Sequence, residues 1–143
     1  MKTAVALAML HRDEQWLLQL RDDVETIIHP GHWGLFGGHL EPGETAEEAV
    51  QRELEEEISW CPSAPLKPWF SDASGTRVVH VFRGALTVPT TDLHLKEGQD
   101  LRLVSLEELR SGSIWSDHCG EARPIAPGLQ IVIARLLTES RGS

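Results

Sequence analysis

Tyrosine is absent from this chain of 143 residues, cysteine occurs only twice, and basic side chains are far outnumbered by acidic ones. Two cysteines, Cys61 and Cys119, are too few for a disulfide scaffold and fit a reducing cytosol. Two inert buried thiols is the expected reading. Lys and Arg total 13 against 22 Asp and Glu, a net charge of −9. That sign argues against a general nucleic-acid binder, which needs a basic footprint, and against docking on an anionic membrane. A phosphorylated substrate stays open if a divalent cation sits between the two negative partners. No apolar run approaches the ~18 residues of a membrane span. The apolar start, Met1 to Leu10, meets His11-Arg12-Asp13-Glu14 too soon for a secretory leader. The expectation is one cytoplasmic domain over residues 1–143.

What is present reads as mixed strands and helices. Thr3–Leu10 and Trp16–Leu20 make a hairpin around a polar turn. Residues 22–32 are loop-like. Trp33-Gly34-Leu35-Phe36 is a short strand ended by Gly37-Gly38. The strongest helix signal runs from Ala46 to Ile58. Thr45 and Glu48 have capping-box spacing, Ala46, Val50, Leu54 and Ile58 form one apolar stripe, and Pro62 prevents continuation. Trp69–Ala73 and Arg77–Val88 are two more strands, and Leu101–Val104 another. Ser105 and Glu108 cap a short second helix. Ser111–Pro127 shows no clear period. Gly128–Thr138 is a terminal helix with a frayed tail over 139–143. The lack of regular β-α-β alternation favours an α+β sandwich, with helices packed on a mixed sheet.

Chemistry concentrates in residues 37–57. On a helix, positions i, i+3 and i+4 share a face, so Glu53, Glu56 and Glu57 form one carboxylate patch. Like charges that close repel. Hard oxygen donors of this kind suit Mg²⁺, Ca²⁺ or Mn²⁺, which would relieve the repulsion. Arg52 lies beside the patch and can orient a carboxylate by a bidentate contact. A solvated acidic helix face is the alternative. Gly37-Gly38 lets backbone approach a ligand, and the Pro42-Gly43 turn delivers Glu44 to the helix start.

Gly38 to Trp60 resembles the Nudix box, G-x5-E-x7-R-E-U-x-E-E-x-G-U, where U is a bulky aliphatic or aromatic residue. Gly38, Glu44, Arg52, Glu53, Leu54, Glu56, Glu57 and Trp60 fall on its positions. Ser59 stands where the box has its second glycine, a helix-end position that favours a left-handed residue, at a cost of roughly 1 kcal/mol. Phe36 replaces a proline often found before the Gly-Gly pair. The resemblance implies an α/β/α sandwich and a hydrolase of nucleoside diphosphates linked to another moiety, acting with Mg²⁺ or Mn²⁺ through water attack at phosphorus. Carried over by position, Glu53 and Glu57 are metal ligands, Glu56 a ligand or base, and the Gly38 carbonyl a further ligand. Arg52 orients carboxylates. Glu97, before the Leu101–Val104 strand, resembles a family position for a base or ligand. Glu44, Trp33 and His39 are candidates for substrate binding, with Glu44 alternatively a helix-start anion and Trp33 alternatively core.

Subfamily markers select little. The family's tyrosine marker for dinucleoside polyphosphates is missing, and Gly75 stands near the proline expected for ADP-ribose. His29-Pro30-Gly31-His32-Trp33-Gly34 loosely resembles nucleotide-sugar hydrolases, and a nucleoside triphosphate is an equal option. Trp69, Phe70 and Phe82 are base-stacking candidates or core. His32, His39, His80 and His118 lack metal-ligand spacing, and Trp115 and Asp117 are candidates for a base pocket. A non-catalytic nucleotide sensor is the competing function. A homodimer is common among similar proteins, but no sequence feature marks an interface.

Overall fold

The computed structural model describes residues 3–22 and 30–141. Nine strands and three α-helices follow in the order β1 (Thr3–Arg12), β2 (Gln15–Leu20), β3 (Trp33–Gly34), β4 (Phe36–His39), α1 (Ala46–Ile58), β5 (Lys67–Asp72), β6 (Arg77–Ala85), β7 (Asp100–Ser105), α2 (Leu106–Ser111), β8 (Ser113–Ser116), β9 (Glu121–Pro124) and α3 (Leu129–Arg141). Seven strands make a mixed sheet. β1 pairs with β6 in parallel, and the other pairings in that sheet are antiparallel.

The sheet forks. β1 and β2 are paired only beside their turn, at His11–Trp16 and Arg12–Gln15. Beyond it they diverge, and the Trp33–His39 segment enters the gap. β3 lies on Gln19 and Leu20 of β2, while β4 lies on Val5–Ala8 of β1. The outer edge of β2 carries β7. Where one chain passes from one strand to the other, some peptide groups lose their ladder partners and must be satisfied by side chains.

Alternation along the strands supplies both faces of the sheet. Ala6, Ala8, Leu10, Leu17 and Phe82 pack with Val50, Leu54 and Ile58 of α1. Met9, Leu18, Leu20, Val81 and Val104 pack with Leu109 of α2 and with Leu129, Val132 and Leu136 of α3. Helices thus cover both faces, the expected α/β/α sandwich. The expected span of α1 is observed. Thr45 and Glu48 form a reciprocal capping box, and Ser59 closes the helix in the left-handed region at φ 55°. Ser105 and Glu108 cap α2 in the same way.

Four expectations need correction. Gly37 and Gly38 do not end a strand but lie inside β4. Gly37 has φ +138°, and a side chain there would run into Ala6 backbone, so only glycine keeps this register. Ser111–Pro127 contains a hairpin, β8–β9, whose short polar strands are too brief to show a period. The Arg77 strand stops at Ala85 rather than Val88. Helix α3 continues to Arg141, into the tail expected to fray. The expected loop over 22–32 falls largely outside the described residues, as does His29.

Candidate active site

The fork and α1 build the site together. At the crossing, the Gly37 N–H points away from β1 and donates to Glu57 Oε1 at 2.8 Å. The Leu35 carbonyl accepts from Gln19 Nε2 at 3.2 Å, and the same amide donates to Glu57 Oε2 at 2.9 Å. Glu57 is 2% exposed, although it belongs to an acidic run. Burial pushes its carboxyl up to about 8, against the two hydrogen bonds, with Glu53 and Glu97 adding repulsion. Burial also raises Glu53, and neighbouring Glu56 and Glu97 reinforce the shift. Glu53 lies against Gly38, where a Cβ would sit 2.6 Å from its Oε1. That close approach accounts for glycine at position 38.

Arg52 fixes the opposite side of the patch. Its Nε and Nη2 make a bidentate contact to Glu44 at 2.7 and 2.9 Å. Nη1 reaches Glu53 at 3.0 Å and Glu56 at 3.3 Å, and Nη2 also donates to the His39 carbonyl at 3.1 Å. Glu44 is held down to about 2, first by Arg52 and then by the Glu41 N–H. Arg52 thus ties the Glu41–Glu44 turn and the end of β4 to the helix. Its single positive charge is shared among four carboxylates, with Glu41 the most distant at 3.8 Å.

Glu97 is brought in by its loop. Lys96 N–H donates to the Glu57 carbonyl at 2.7 Å and Gln99 N–H to the Leu20 carbonyl at 2.8 Å. These anchors hold Glu97 near enough for its charge to raise Glu53 and Glu57.

Among the described residues, no three His, Cys, Asp or Glu side chains are already gathered as an ion cage. The donor set nevertheless suits a hard divalent cation. Glu53 and Glu57 are half to fully buried carboxylates raised by burial and by repulsion from neighbouring glutamates, and Arg52 pairs with Glu53.

A cavity of about 210 Å³ lies on the other side of the glycine pair. Its lining includes Leu7, Leu35, Leu129, Arg21, His39 and Arg77, besides Gly37 and Gly38 themselves. Among the described residues, the Nε of Arg21 is buried without a hydrogen-bond partner.

The structure brings together Gly38, His39, Glu44, Arg52, Glu53, Glu56, Glu57 and Glu97. It does not bring Trp33 to a ligand surface. Trp33 is 0% exposed, and its Nε1 donates to the Ile114 carbonyl at 3.0 Å. It is a core residue, because its indole fills the space between β3 and the β8–β9 hairpin. Phe82 is core as well. Trp69 and Phe70 pack edge to face on β5, and Trp115 stands exposed with its Nε1 on Asp117. None of these four lines the cavity.

Sequence reasoning missed Gln19, Arg21 and Arg77. Gln19 had a signal, a lone amide in the apolar run Trp16-Leu17-Leu18-Gln19-Leu20 on the face that receives α1. The arginines had none, because their role depends on which strands become neighbours.

The model of the NUDIX domain matches residues 1–122. "Nucleoside triphosphatase NudI" of Enterobacter sp. (strain 638) is 34% identical over 97 residues, covering 59% of this chain and 69% of that protein. The chain spans about half the length (52%) of the Escherichia coli relatives of the same name, at 37% identity. The MutT protein from Methanosarcina mazei Go1 superposes with TM-score 0.69 and 21% identity, covering 97% of this chain and 95% of that one. The MutT NUDIX hydrolase from Burkholderia pseudomallei gives 0.68 and 20%, covering 94% and 97%. With the family model matched over residues 1–122 and the box residues assembled around the glycine pair, the chain belongs to the NUDIX hydrolase family.

Proposed function

We propose that the chain is a Mg²⁺- or Mn²⁺-dependent pyrophosphohydrolase of a nucleoside triphosphate. The observation that carries this reading is the glycine wall. Gly37 and Gly38 meet Glu57 and Glu53 on one side and line a cavity on the other. A nucleoside seated in the cavity would send its phosphates past that wall toward the carboxylates. The name of the Enterobacter relative favours a triphosphate over a nucleotide sugar.

Glu53 and Glu57 would hold the ion, with Glu56 and the Gly38 carbonyl as further donors. The ion, when bound, supplies Lewis acidity at phosphate oxygens and lowers the pKa of water. Arg52 keeps Glu53 and Glu56 aligned and clamps the Glu44 turn. Glu97, on its anchored loop, would take the proton from the attacking water. Arg21 and Arg77 offer donors to the anionic or carbonyl edges of the substrate. Water adds at one phosphorus, the anhydride P–O bond breaks, and the leaving phosphate departs as an anion.

The test incubates purified protein with Mg²⁺ or Mn²⁺ and a panel of nucleoside triphosphates, nucleotide sugars, ADP-ribose and dinucleoside polyphosphates, with products separated by chromatography. The expected result is triphosphate cleavage to a monophosphate and pyrophosphate. Faster turnover of a nucleotide sugar would replace the substrate assignment. Tight binding without products would replace the enzyme by a sensor.

A further inference from the structure

We infer that Gln19, which lies outside the Nudix box, is a positioning residue that sets the orientation of Glu57 and seats the Glu97 loop. The inference rests on the reading of Glu57 as a ligand of a divalent ion.

Gln19 is 4% exposed, on the face of β2 that meets α1. Its amide orientation is fixed by chemistry. Nε2 faces two acceptors, the Leu35 carbonyl and Glu57 Oε2, so an oxygen at that position would meet only oxygens. With the Gly37 N–H on Oε1, both Glu57 oxygens are held by neutral donors. Neutral donors fix a carboxylate without cancelling its charge. An arginine at position 19 would fix Glu57 equally well but would compete with the cation. The surroundings of metal ligands are commonly built this way.

The other end of the same amide touches the loop. Gly98 has φ +94°, and a Cβ there would lie 3.1 Å from Gln19 Oε1 and 2.8 Å from the Leu20 carbonyl. The glycine backbone therefore closes directly on Gln19. Lys96 and Gln99 complete the attachment, one on the Glu57 carbonyl and one on the Leu20 carbonyl. Gln19 thus hydrogen bonds to the carboxylate of Glu57 and lies close beside the Gly98 backbone of the segment that carries Glu97. Moving this amide shifts two groups that must act on the same water and the same ion.

The test uses the full chain, with Mn²⁺ affinity read by electron paramagnetic resonance and steady-state hydrolysis of a nucleoside triphosphate read separately. Gln19→Met keeps length and volume but has no donor. It is expected to weaken Mn²⁺ binding by about 10-fold or more and to lower kcat with little change in KM. Gln51→Met, an exposed amide replaced on α1, is the control and should change neither. Unchanged Mn²⁺ affinity and kcat in Gln19→Met would overturn the inference while leaving the metal reading intact. Failure of the wild type to bind either ion would overturn both. If Gln19→Met does not fold, the wild type decides. The Gln19 side-chain ¹⁵N–H₂ resonances should shift on saturation with Mg²⁺ while those of Gln51 stay put. Immobile Gln19 resonances would overturn the inference.

Discussion

At the scale of single residues, Glu57 shows why the site needs a counter-charge. Its carboxyl is surrounded by neutral donors and pushed up to about 8 by burial. A folded-state pKa above the unfolded value means the native protein binds the extra proton between the two. Metal-free stability is therefore full below the ordinary carboxylate range and falls as pH rises toward about 8. Thermal melts of metal-free protein from pH 5 to 9 should show a declining Tm. Mg²⁺ should restore the loss at the alkaline end, because the ion binds the ionised form. Glu57→Gln should flatten the decline. In activity assays with Mg²⁺, Glu57→Gln and Glu53→Gln should each lose on the order of 10³-fold in kcat, the equivalent of several kcal/mol of metal assistance. These carboxylates were legible from their i, i+3, i+4 spacing. Trp33 was left between substrate binding and core, because an indole in a glycine-rich segment fits either, and it is core. Its burial depends on the distant β8–β9 hairpin.

At the scale of elements, α1 was legible to the residue because every local signal agreed. The capping box, the apolar stripe and the following proline mark the same ends. Strand β4 was not legible, since two glycines read as a break until β1 is laid beside them. Ser59 is where α1 departs from an ideal end. A non-glycine residue in the left-handed region costs roughly 1–2 kcal/mol. Ser59→Gly should therefore stabilise the protein by about 1 kcal/mol, raising Tm by roughly 3 °C at this chain length. Thr45→Ala removes the side-chain half of the capping box and should cost about 1 kcal/mol. Both changes are measurable by thermal denaturation. The Ser59 change should leave Mn²⁺ affinity unchanged.

At the scale of the whole molecule, the forked sheet explains how one short segment serves both layers. Trp33 enters the core under α2 and α3, whereas Phe36 enters the core under α1. Beside Phe36, Leu35 and Gly37 offer the backbone groups that Gln19 and Glu57 satisfy. The mixture of elements pointed to helices packed on a mixed sheet, and the resemblance to the Nudix box implied the α/β/α layering. The fork could not be read, because it is set by long-range pairing among strands of similar composition. Leu54 is fully buried on α1 between these parts. Leu54→Ala should cost about 2–5 kcal/mol in denaturant unfolding, as cavity-forming core substitutions do. Net charge of −9 also belongs to this scale. It repels a polyphosphate unless a cation intervenes, so hydrolysis should vanish with chelator and return with Mg²⁺ or Mn²⁺.

The most direct measurement follows a nucleoside triphosphate by ³¹P NMR with Mg²⁺, comparing wild type with Glu57→Gln at equal concentration. Monophosphate and pyrophosphate should accumulate with the wild type and stay near background with the variant. Equal rates in the two proteins, or no products from the wild type with any triphosphate, would contradict the assignment of the Glu53–Glu57 patch as the hydrolytic centre.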